Sequence, residues 1–429
     1  MFERPDLGQR AILVHVEFNS GVGNQDVNEF KDLVRSTGAE IATIVNVQRS
    51  IPDAKLLIGS GKVQEIHSLA HSLNADIVIF NYSLSPSQER NLEKICEVRV
   101  LDRTGLILDI FAQRARSYEG QLQVELAQLK YLSTRLVRGW SHLERQKGGI
   151  GLRGPGEKQL ESDRRMLRLR IKQLSKRLEK LRKQRDQGRS ARRKATTPTV
   201  AVVGYTNAGK STLFNRLTDA SVYSADKLFA TLDPTLRRMQ IAKGQHIVLA
   251  DTVGFIQDLP HDLIESFHAT LQETEEADVL LHVVDASDPH RDNNIEQVQA
   301  VLEQIDALEV PQIMVYNKID QINMLPNVGL DEHGNIKQIW MSALSGDGED
   351  LLVQALRQYF EHQVERLWLL LPPSEGGLRS ELYSKGAVLQ EFADDQGYLQ
   401  IEAEIPLNIL KKFTEYKISE ESVQRANIN

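Results

Sequence analysis

Short apolar runs alternate with helix-type apolar stripes over the first part of the chain. Runs of strand length and composition lie at residues 11–16, 41–45, 77–80 and 98–101. Between them, apolar residues recur every three or four positions, as in Phe30, Leu33 and Val34, which is typical of an amphipathic helix. The alternation predicts an N-terminal α/β domain with a mostly parallel sheet over residues 1–116.

Two leucine repeats occupy residues 117–196. Leucines recur every seven residues from Leu122 to Leu143 and again from Leu160 to Leu181. Such heptads predict two long helices packed as an antiparallel hairpin. Five glycines between residues 147 and 156 disfavour helix, so we expect a Gly-rich tip at the turn of the hairpin. The composition from Gln184 to Pro198 favours a linker.

Strand and helix patterns alternate again over residues 197–364, and polar residues follow each predicted strand. The predicted strands lie at 200–203, 247–250, 279–284 and 312–316. This pattern favours a doubly wound α/β domain. Residues 365–429 show two strand patterns, at 367–371 and 399–405, and a short helix pattern at 409–413, which predicts a small α+β domain.

Composition narrows the class of protein. A chain of 429 residues is too long for one hydrophobic core, in agreement with several domains. No apolar run approaches the roughly 18 residues of a membrane span, and the N-terminal residues are too polar for a signal peptide. Cys96 is the single cysteine, which excludes an internal disulfide framework and favours a buried apolar role. We expect a cytoplasmic, monomeric protein.

Charge is segregated along the chain. Residues 130–194 hold 22 Lys and Arg against 6 Asp and Glu, a net of +16 in a protein whose net charge is −7. One surface is therefore expected to bind a polyanion. The candidate RNA-contacting residues are Arg153 near the tip and Arg164, Arg165, Arg168, Arg170 and Lys172 on the second helix.

A β-branched run at 200–203 leads into G-x-x-x-x-G-K-S at Gly204–Ser211, followed by a helical pattern. This is the P-loop pattern in its strand–loop–helix context, in which free N–H groups at a helix start bind phosphate. Lys210 would reach the β- and γ-phosphates, and the Ser211 hydroxyl would bind Mg²⁺.

Two further motifs follow predicted strands. Asp251-Thr252-Val253-Gly254 would act on Mg²⁺ through its water shell and contact the γ-phosphate through the Gly254 N–H. Asn317-Lys318-Ile319-Asp320 places a carboxylate where it can accept hydrogen bonds from guanine N1 and N2, donors that adenine lacks. Ser342-Ala343-Leu344 would add backbone contacts to the guanine oxygen.

A GTPase needs a threonine in its first switch loop, where the side chain can reach Mg²⁺ and sense the γ-phosphate. Thr231 and Thr235 are both candidates within Phe229–Thr235, and Thr231 is preferred. The residues expected at the GTP site are Gly204, Tyr205, Thr206, Asn207, Ala208, Gly209, Lys210, Ser211, Phe229, Ala230, Thr231, Leu232, Asp233, Asp251, Thr252, Val253, Gly254, Asn317, Lys318, Ile319, Asp320, Ser342, Ala343 and Leu344.

The chain resembles the HflX family of translational GTPases. The resemblance rests on these motifs in this order and on three further stretches: Asp102–Phe111, the glycine loop Gly148–Glu157 and Phe229–Thr235. The resemblance covers nearly the whole chain and is least specific in the C-terminal domain. It implies a GTPase that binds the large ribosomal subunit and splits ribosomes, including stalled ones after stress. It also implies that the hairpin tip reaches toward the peptidyl-transferase region, and the basic hairpin agrees with a ribosomal RNA partner.

Phe255 departs from a common GTPase pattern. Many GTPases have a glutamine directly after D-x-x-G to orient the attacking water, and phenylalanine has no group for this task. Turnover by the free protein is therefore expected to be slow. Asn207 in the P-loop is a candidate ligand for K⁺, and the bound ion would supply positive charge to the phosphates.

Two alternative functions stay open on the sequence. One is a ribosome-assembly factor that uses GTP only as a switch. The other is an RNA-remodelling NTPase with a second nucleotide site in the N-terminal domain, where Gly59-Ser60-Gly61-Lys62 opens a predicted helix. That segment lacks the rest of a P-loop, so a plain turn with a helix cap is favoured there.

Overall fold

The computed structural model describes residues 8–18, 26–138, 155–194, 197–218, 228–229, 232, 235–242, 245–256, 271–361, 364–384, 387–393, 397–406, 410 and 412–418. These residues form three units, each built on its own β-sheet, and two long helices connect the first unit to the second. None of the helices in these ranges combines the length and the apolar character that a membrane span requires.

The N-terminal domain is a parallel sheet with helices on both faces. Its elements are β1 (Arg10–Phe18), α1 (Val27–Thr37), β2 (Glu40–Arg49), α2 (Ser60–Ser72), β3 (Ile77–Phe80), α3 (Pro86–Cys96), β4 (Arg99–Leu101) and α4 (Arg103–Arg114), with strand order β2-β1-β3-β4. Side chains alternate between the faces of β1. Ala11 and Leu13 therefore join the core under α1 and α4, whereas Ile12 and Val14 join the core under α2 and α3.

The two long helices are α5 (Tyr118–Arg138) and α6 (Pro155–Lys194). Leu122 and Leu126 of α5 are buried against Leu174 of α6, and Glu125 forms an ion pair with Arg170 at 2.7 Å. The predicted tip spans 147–156. Residues 147–154 of it lie outside the described residues, whereas Pro155 and Gly156 belong to α6.

The linker expected from Gln184 is wrong for most of its length, because α6 continues to Lys194. Glutamine, arginine, alanine and lysine dominate this stretch and are strong helix formers. Among the described residues after Lys194, Thr197 and Pro198 are not helical.

The second unit has a seven-stranded sheet, parallel in its centre and antiparallel at both edges. It contains β5 (Thr199–Gly204), α7 (Lys210–Thr218), β6 (Thr235–Ala242), β7 (Gln245–Asp251), β8 (Val279–Asp285), α8 (Arg291–Gln304), β9 (Gln312–Asn317), β10 (Asn327–Leu330), β11 (Ile336–Trp340) and α9 (Glu349–Glu361). The strand order is β10-β11-β9-β8-β5-β7-β6. The parallel strands β5, β7, β8 and β9 end at one edge, where ligands bind in folds of this class.

In its described residues, the C-terminal unit combines an antiparallel sheet with the α-helix α10. Its elements are β12 (Val364–Leu371), α10 (Gly376–Ser384), β13 (Val388–Ala393), β14 (Leu399–Pro406) and β15 (Lys417–Ile418), in the strand order β13-β14-β12-β15. The sequence indicated β12 and β14 but neither β13 nor α10. The predicted helix at 409–413 falls partly outside the described residues.

Candidate functional site

The P-loop between β5 and α7 is held by close contacts that only glycine permits. Gly204 has φ +148°, and a Cβ there would lie 2.2 Å from the carbonyl oxygen of Val283. Gly209 has φ +94°, and a Cβ there would lie 2.2 Å from Asn317 Nδ2. The two glycines of the motif therefore let the loop pack against β8 and β9.

Lys210 is the first residue of α7 and is buried. Its Nζ donates a hydrogen bond of 2.6 Å to the carbonyl oxygen of Tyr205 in the same loop. Burial lowers the pKa of Lys210 to about 8, although the nearby Asp251 opposes this shift. Burial also lowers the pKa of the neighbouring His282 to about 4, so the histidine is neutral at pH 7.

Ser211 and Asp251 form the candidate metal site. The Ser211 hydroxyl donates to Asp251 Oδ2 at 2.9 Å, and the carboxylate is fully buried at the end of β7. Thr252 fixes this strand end by donating to the carbonyl oxygen of Val202 at 2.7 Å. A hydroxyl and a carboxylate side by side are hard oxygen ligands, so their chemistry fits Mg²⁺.

Gly254 and Phe255 lie against the P-loop through their backbones. The Phe255 N–H donates to the carbonyl oxygen of Gly204, and the Thr206 N–H donates to that of Phe255, at 3.1 and 2.7 Å. The Phe255 ring is 2% exposed and packs in the core with Ala201. A Cβ on Gly254 would lie 3.1 Å from Lys210 Nζ, so this residue borders the lysine directly.

The residues predicted to recognise guanine come together at the ends of β9 and β11. The side chain of Asn317 bridges two loops, because Nδ2 donates to the Ala208 carbonyl oxygen and Oδ1 accepts from the Ala343 N–H, each at 2.8 Å. The Ser342 hydroxyl donates to Asp320 Oδ1 at 2.6 Å and orients this exposed carboxylate.

Lys318, in the left-handed region at φ 65°, donates to Asp285 Oδ2 at 2.7 Å. This carboxylate was missed from the sequence, although it is the last residue of β8. Its position at a strand end next to the motif strand was the available signal. Ile319 is buried and Leu344 is exposed.

The first-switch segment packs on the N-terminal domain where it is described. Phe229 is 2% exposed and meets Phe111 of α4 edge to face, with ring centroids 4.7 Å apart. The Leu228 N–H donates to Ser36 Oγ at 3.2 Å, and Leu232 is buried in the same N-terminal core. Ala230, Thr231 and Asp233 lie outside the described residues, so the roles expected for them stay predictions.

A second interdomain contact was not foreseen from the sequence. The Tyr205 hydroxyl of the P-loop donates to Glu29 of α1, and Glu29 also accepts from Arg103 of α4 at 2.7 Å. A cavity of about 350 Å³ lies beside this contact, lined by α1, the P-loop and the start of α8. Arg103 lies within one of the stretches that carry the family resemblance, which was the available signal.

The basic residues of α6 divide by environment. Arg165, Arg168 and Lys172 are exposed, whereas Arg164 is half-buried and Arg170 is paired with Glu125. Arg153 lies outside the described residues. In the N-terminal domain, Lys62 pairs with Glu65 on its own helix at 2.8 Å, an arrangement that favours the plain helix start over a second phosphate loop.

Comparison with known proteins agrees with the domain order. The family model described as GTP-binding GTPase N-terminal matches residues 24–112, the one described as GTP-binding GTPase Middle Region matches 114–192, and the one described as 50S ribosome-binding GTPase matches 199–318.

Individual relatives match over most of the chain. A protein named GTPase HflX from Escherichia coli (strain K12) is 54% identical over 408 residues, covering 95% of this chain and 96% of the relative. GTPase HflX from Caldanaerobacter subterraneus subsp. tengcongensis is 44% identical over 411 residues, covering 96% and 94%. Among solved structures, a GTP-binding protein from Sulfolobus solfataricus in complex with GDP is 24% identical with a TM-score of 0.44, covering 82% of this chain and 98% of that one.

Proposed function

Because this chain belongs to the HflX family of GTPases, we propose that it binds the large ribosomal subunit in its GTP form and splits 70S ribosomes into subunits. Hydrolysis of GTP then allows the protein to leave the large subunit. The observation that carries the proposal is the joining of a GTPase domain to a long helix with exposed arginines and lysines. A basic helix of this length can neutralise several phosphates of ribosomal RNA.

The nucleotide occupies the edge of the sheet where β5, β7 and β9 end. Lys210 moves from the Tyr205 carbonyl oxygen to the β- and γ-phosphates, which replace the loop's own acceptor. Asp320, oriented by Ser342, accepts hydrogen bonds from the guanine base. Thr231 joins the site when the switch segment leaves the N-terminal core.

Ser211 and Thr231 would hold Mg²⁺, and Asp251 would act on it through bound water. A bound ion would supply positive charge to the phosphate oxygens. Ser211 and Asp251 already face each other at 2.9 Å, which supports this assignment.

Asn207 is the proposed K⁺ ligand. It is an exposed P-loop residue with φ 60°, a left-handed conformation that asparagine tolerates better than most residues. We expect turnover in KCl to exceed turnover in NaCl at equal ionic strength, and Asn207→Ala to remove the difference. Equal rates of the unsubstituted protein in both salts would exclude the K⁺ site.

Splitting is tested by light scattering of 70S ribosomes mixed with the protein. GTP or a non-hydrolysable analogue should support splitting, whereas GDP should not. Sedimentation measures the release of the protein from the large subunit. This release should require GTP that can be hydrolysed. Binding to large subunits without any splitting would instead favour the ribosome-assembly switch.

A further inference from the structure

Asp102 joins the N-terminal domain to the part of α5 that carries Tyr131 and Arg135, here called the root of the helical hairpin. Its Oδ1 accepts from the Gly105 N–H, which caps α4, and from the Tyr131 hydroxyl of α5 at 2.6 Å. Its Oδ2 accepts from the Leu84 N–H at 3.0 Å and from the Arg135 guanidinium of α5 at 2.7 Å. The residue is 1% exposed, so these charge-assisted bonds fix α5 firmly against the start of α4.

The next residue, Arg103, points to the P-loop side of the same domain. It is 2% exposed and donates to Glu29 of α1 at 2.7 Å. Glu29 in turn accepts from the Tyr205 hydroxyl. A buried arginine and a nearly buried glutamate thus connect the first turn of α4 to the P-loop.

Tyr205 is held at two places. Its hydroxyl is bound by Glu29, and its carbonyl oxygen accepts from Lys210 Nζ at 2.6 Å. The position of this one residue therefore depends on the N-terminal domain and in turn affects the phosphate-binding lysine.

We propose that Tyr131, Asp102, Arg103, Glu29 and Tyr205 form a junction that couples the hairpin root to the P-loop. Asp102 caps α4 and Arg103 is its first residue, so a shift of α5 that moves Asp102 also moves Arg103. Glu29 and Arg103 are positioning residues that act on the nucleotide through Tyr205. The identity of the macromolecule on the hairpin, a large ribosomal subunit, rests on the proposed function.

Coupling of this kind is reciprocal. If subunit binding at the hairpin changes nucleotide affinity by some factor, nucleotide changes subunit affinity by the same factor, typically about 5- to 150-fold. Removing a single hydroxyl from the junction should lower that factor without removing either binding site.

The experiment measures the Kd of a fluorescent, non-hydrolysable GTP analogue with and without purified large subunits. The unsubstituted protein should show a shift of about fivefold or more. Without large subunits, the Kd of Tyr131→Phe for the analogue should lie within about twofold of that of the unsubstituted protein. With large subunits, the variant should lose most of the shift in Kd. Tyr359→Phe, which removes a tyrosine hydrogen bond of 2.9 Å to Asp278 elsewhere, is the matched control and should keep the full shift.

A double-substitution cycle decides whether the two ends act as one unit. Tyr205→Phe should also lose the shift, and the pair Tyr131→Phe with Tyr205→Phe should lose no more than the larger single effect, because residues in one network are non-additive. Additive losses, or a full shift retained by Tyr131→Phe, would overturn the junction.

A measurement without ribosomes separates the junction from the proposed function. Nucleotide binding should change amide hydrogen exchange at the root of α5 around Tyr131, and Tyr205→Phe should abolish that change. No change at α5 in the unsubstituted protein would overturn the junction. A change at α5 in a protein that fails to bind large subunits would leave the junction standing and refute the ribosomal function.

Discussion

Lys210 Nζ lies 2.6 Å from the main-chain carbonyl oxygen of Tyr205, five residues earlier in the same loop. Its ammonium group is enclosed by protein, which lowers the pKa to about 8 because burial disfavours the charged form. A bound phosphate would favour the charged form and raise the pKa again. Nucleotide binding at this site is therefore linked to a proton.

The sign of that linkage gives the first prediction. Below pH 8 the lysine is already protonated, so this group adds no pH dependence to nucleotide affinity. Above pH 8 the free site must take up a proton on binding, so affinity for GDP should fall by about tenfold per pH unit. Fluorescence titration of GDP between pH 7 and 9 measures this slope. Lys210→Gln should bind more weakly and show no such slope; an equal slope in that variant would assign the proton to another group.

Asp320 and Ser342 give a prediction on base specificity. Asp320→Asn removes a charged acceptor and should weaken GTP binding on the order of 10³-fold while improving binding of xanthosine nucleotides, whose C2 oxygen suits an amide donor. Ser342→Ala leaves the carboxylate but removes the 2.6 Å bond that orients it, so GTP affinity should fall only about tenfold. Competition titrations with GTP, XTP and ATP separate these effects. ATP binding as tight as GTP in the unsubstituted protein would refute the base assignment.

Phe255 gives a prediction that the sequence alone would not. The Phe255 side chain points into the core and is 2% exposed. A glutamine that takes the same direction would therefore not reach an attacking water. Phe255→Gln should leave single-turnover hydrolysis by the free protein no faster and should lower stability by about 3 kcal/mol, through removal of the ring and burial of an amide. Thermal unfolding and quenched-flow hydrolysis measure the two effects. Phe255→Leu is the control, since it keeps an apolar side chain; a faster Phe255→Gln enzyme would show that the residue reaches the nucleotide.

The sequence indicated the edge of the sheet at which the motifs lie, because each motif follows a parallel strand and the ends of such strands meet at one edge. Ser211 meets Asp251 there, and Asn317 meets the P-loop at Ala208, while the binding of nucleotide by these residues stays a prediction. The contacts of Tyr205 with Glu29 could not be foreseen, because they join residues 176 positions apart across two domains. The extension of α6 was missed for a different reason. An Arg-rich stretch without proline is compatible with both a linker and a helix, and the high helix propensity of its residues favours the helix.

The exposed arginines of α6 give a prediction on RNA affinity. Arg165→Glu with Arg168→Glu should weaken large-subunit binding and reduce the slope of log affinity against log salt, by about 0.7–0.9 for each phosphate that the protein no longer neutralises. Lys55→Glu with Lys337→Glu changes the total charge equally on exposed residues away from the hairpin, so it should keep the salt slope. Sedimentation binding at several salt concentrations measures both. Equal slopes in the two double variants would place the RNA-binding surface elsewhere.

The last prediction concerns the turn between α5 and α6, whose residues 147–154 are outside the described part of the chain. Since α6 begins at Pro155, replacing residues 148–154 by two glycines shortens the turn and leaves the start of that helix in place. The affinity for RNA phosphate is expected to come mainly from the exposed side chains of α6, which this change does not touch.

The shortened protein should therefore bind GTP normally and keep most of its affinity for large subunits, yet fail to split 70S ribosomes. A variant of equal length, with 148–154 replaced by glycine and serine, separates reach from chemistry. If splitting needs only reach, this variant should split normally; if it needs Leu152 or Arg153, it should fail like the shortened one. Light scattering for splitting and sedimentation for binding, measured on the same preparations, distinguish these cases. Unchanged splitting by the shortened protein would refute the role of the tip in splitting, because a tip five residues shorter should reach less far toward the peptidyl-transferase region.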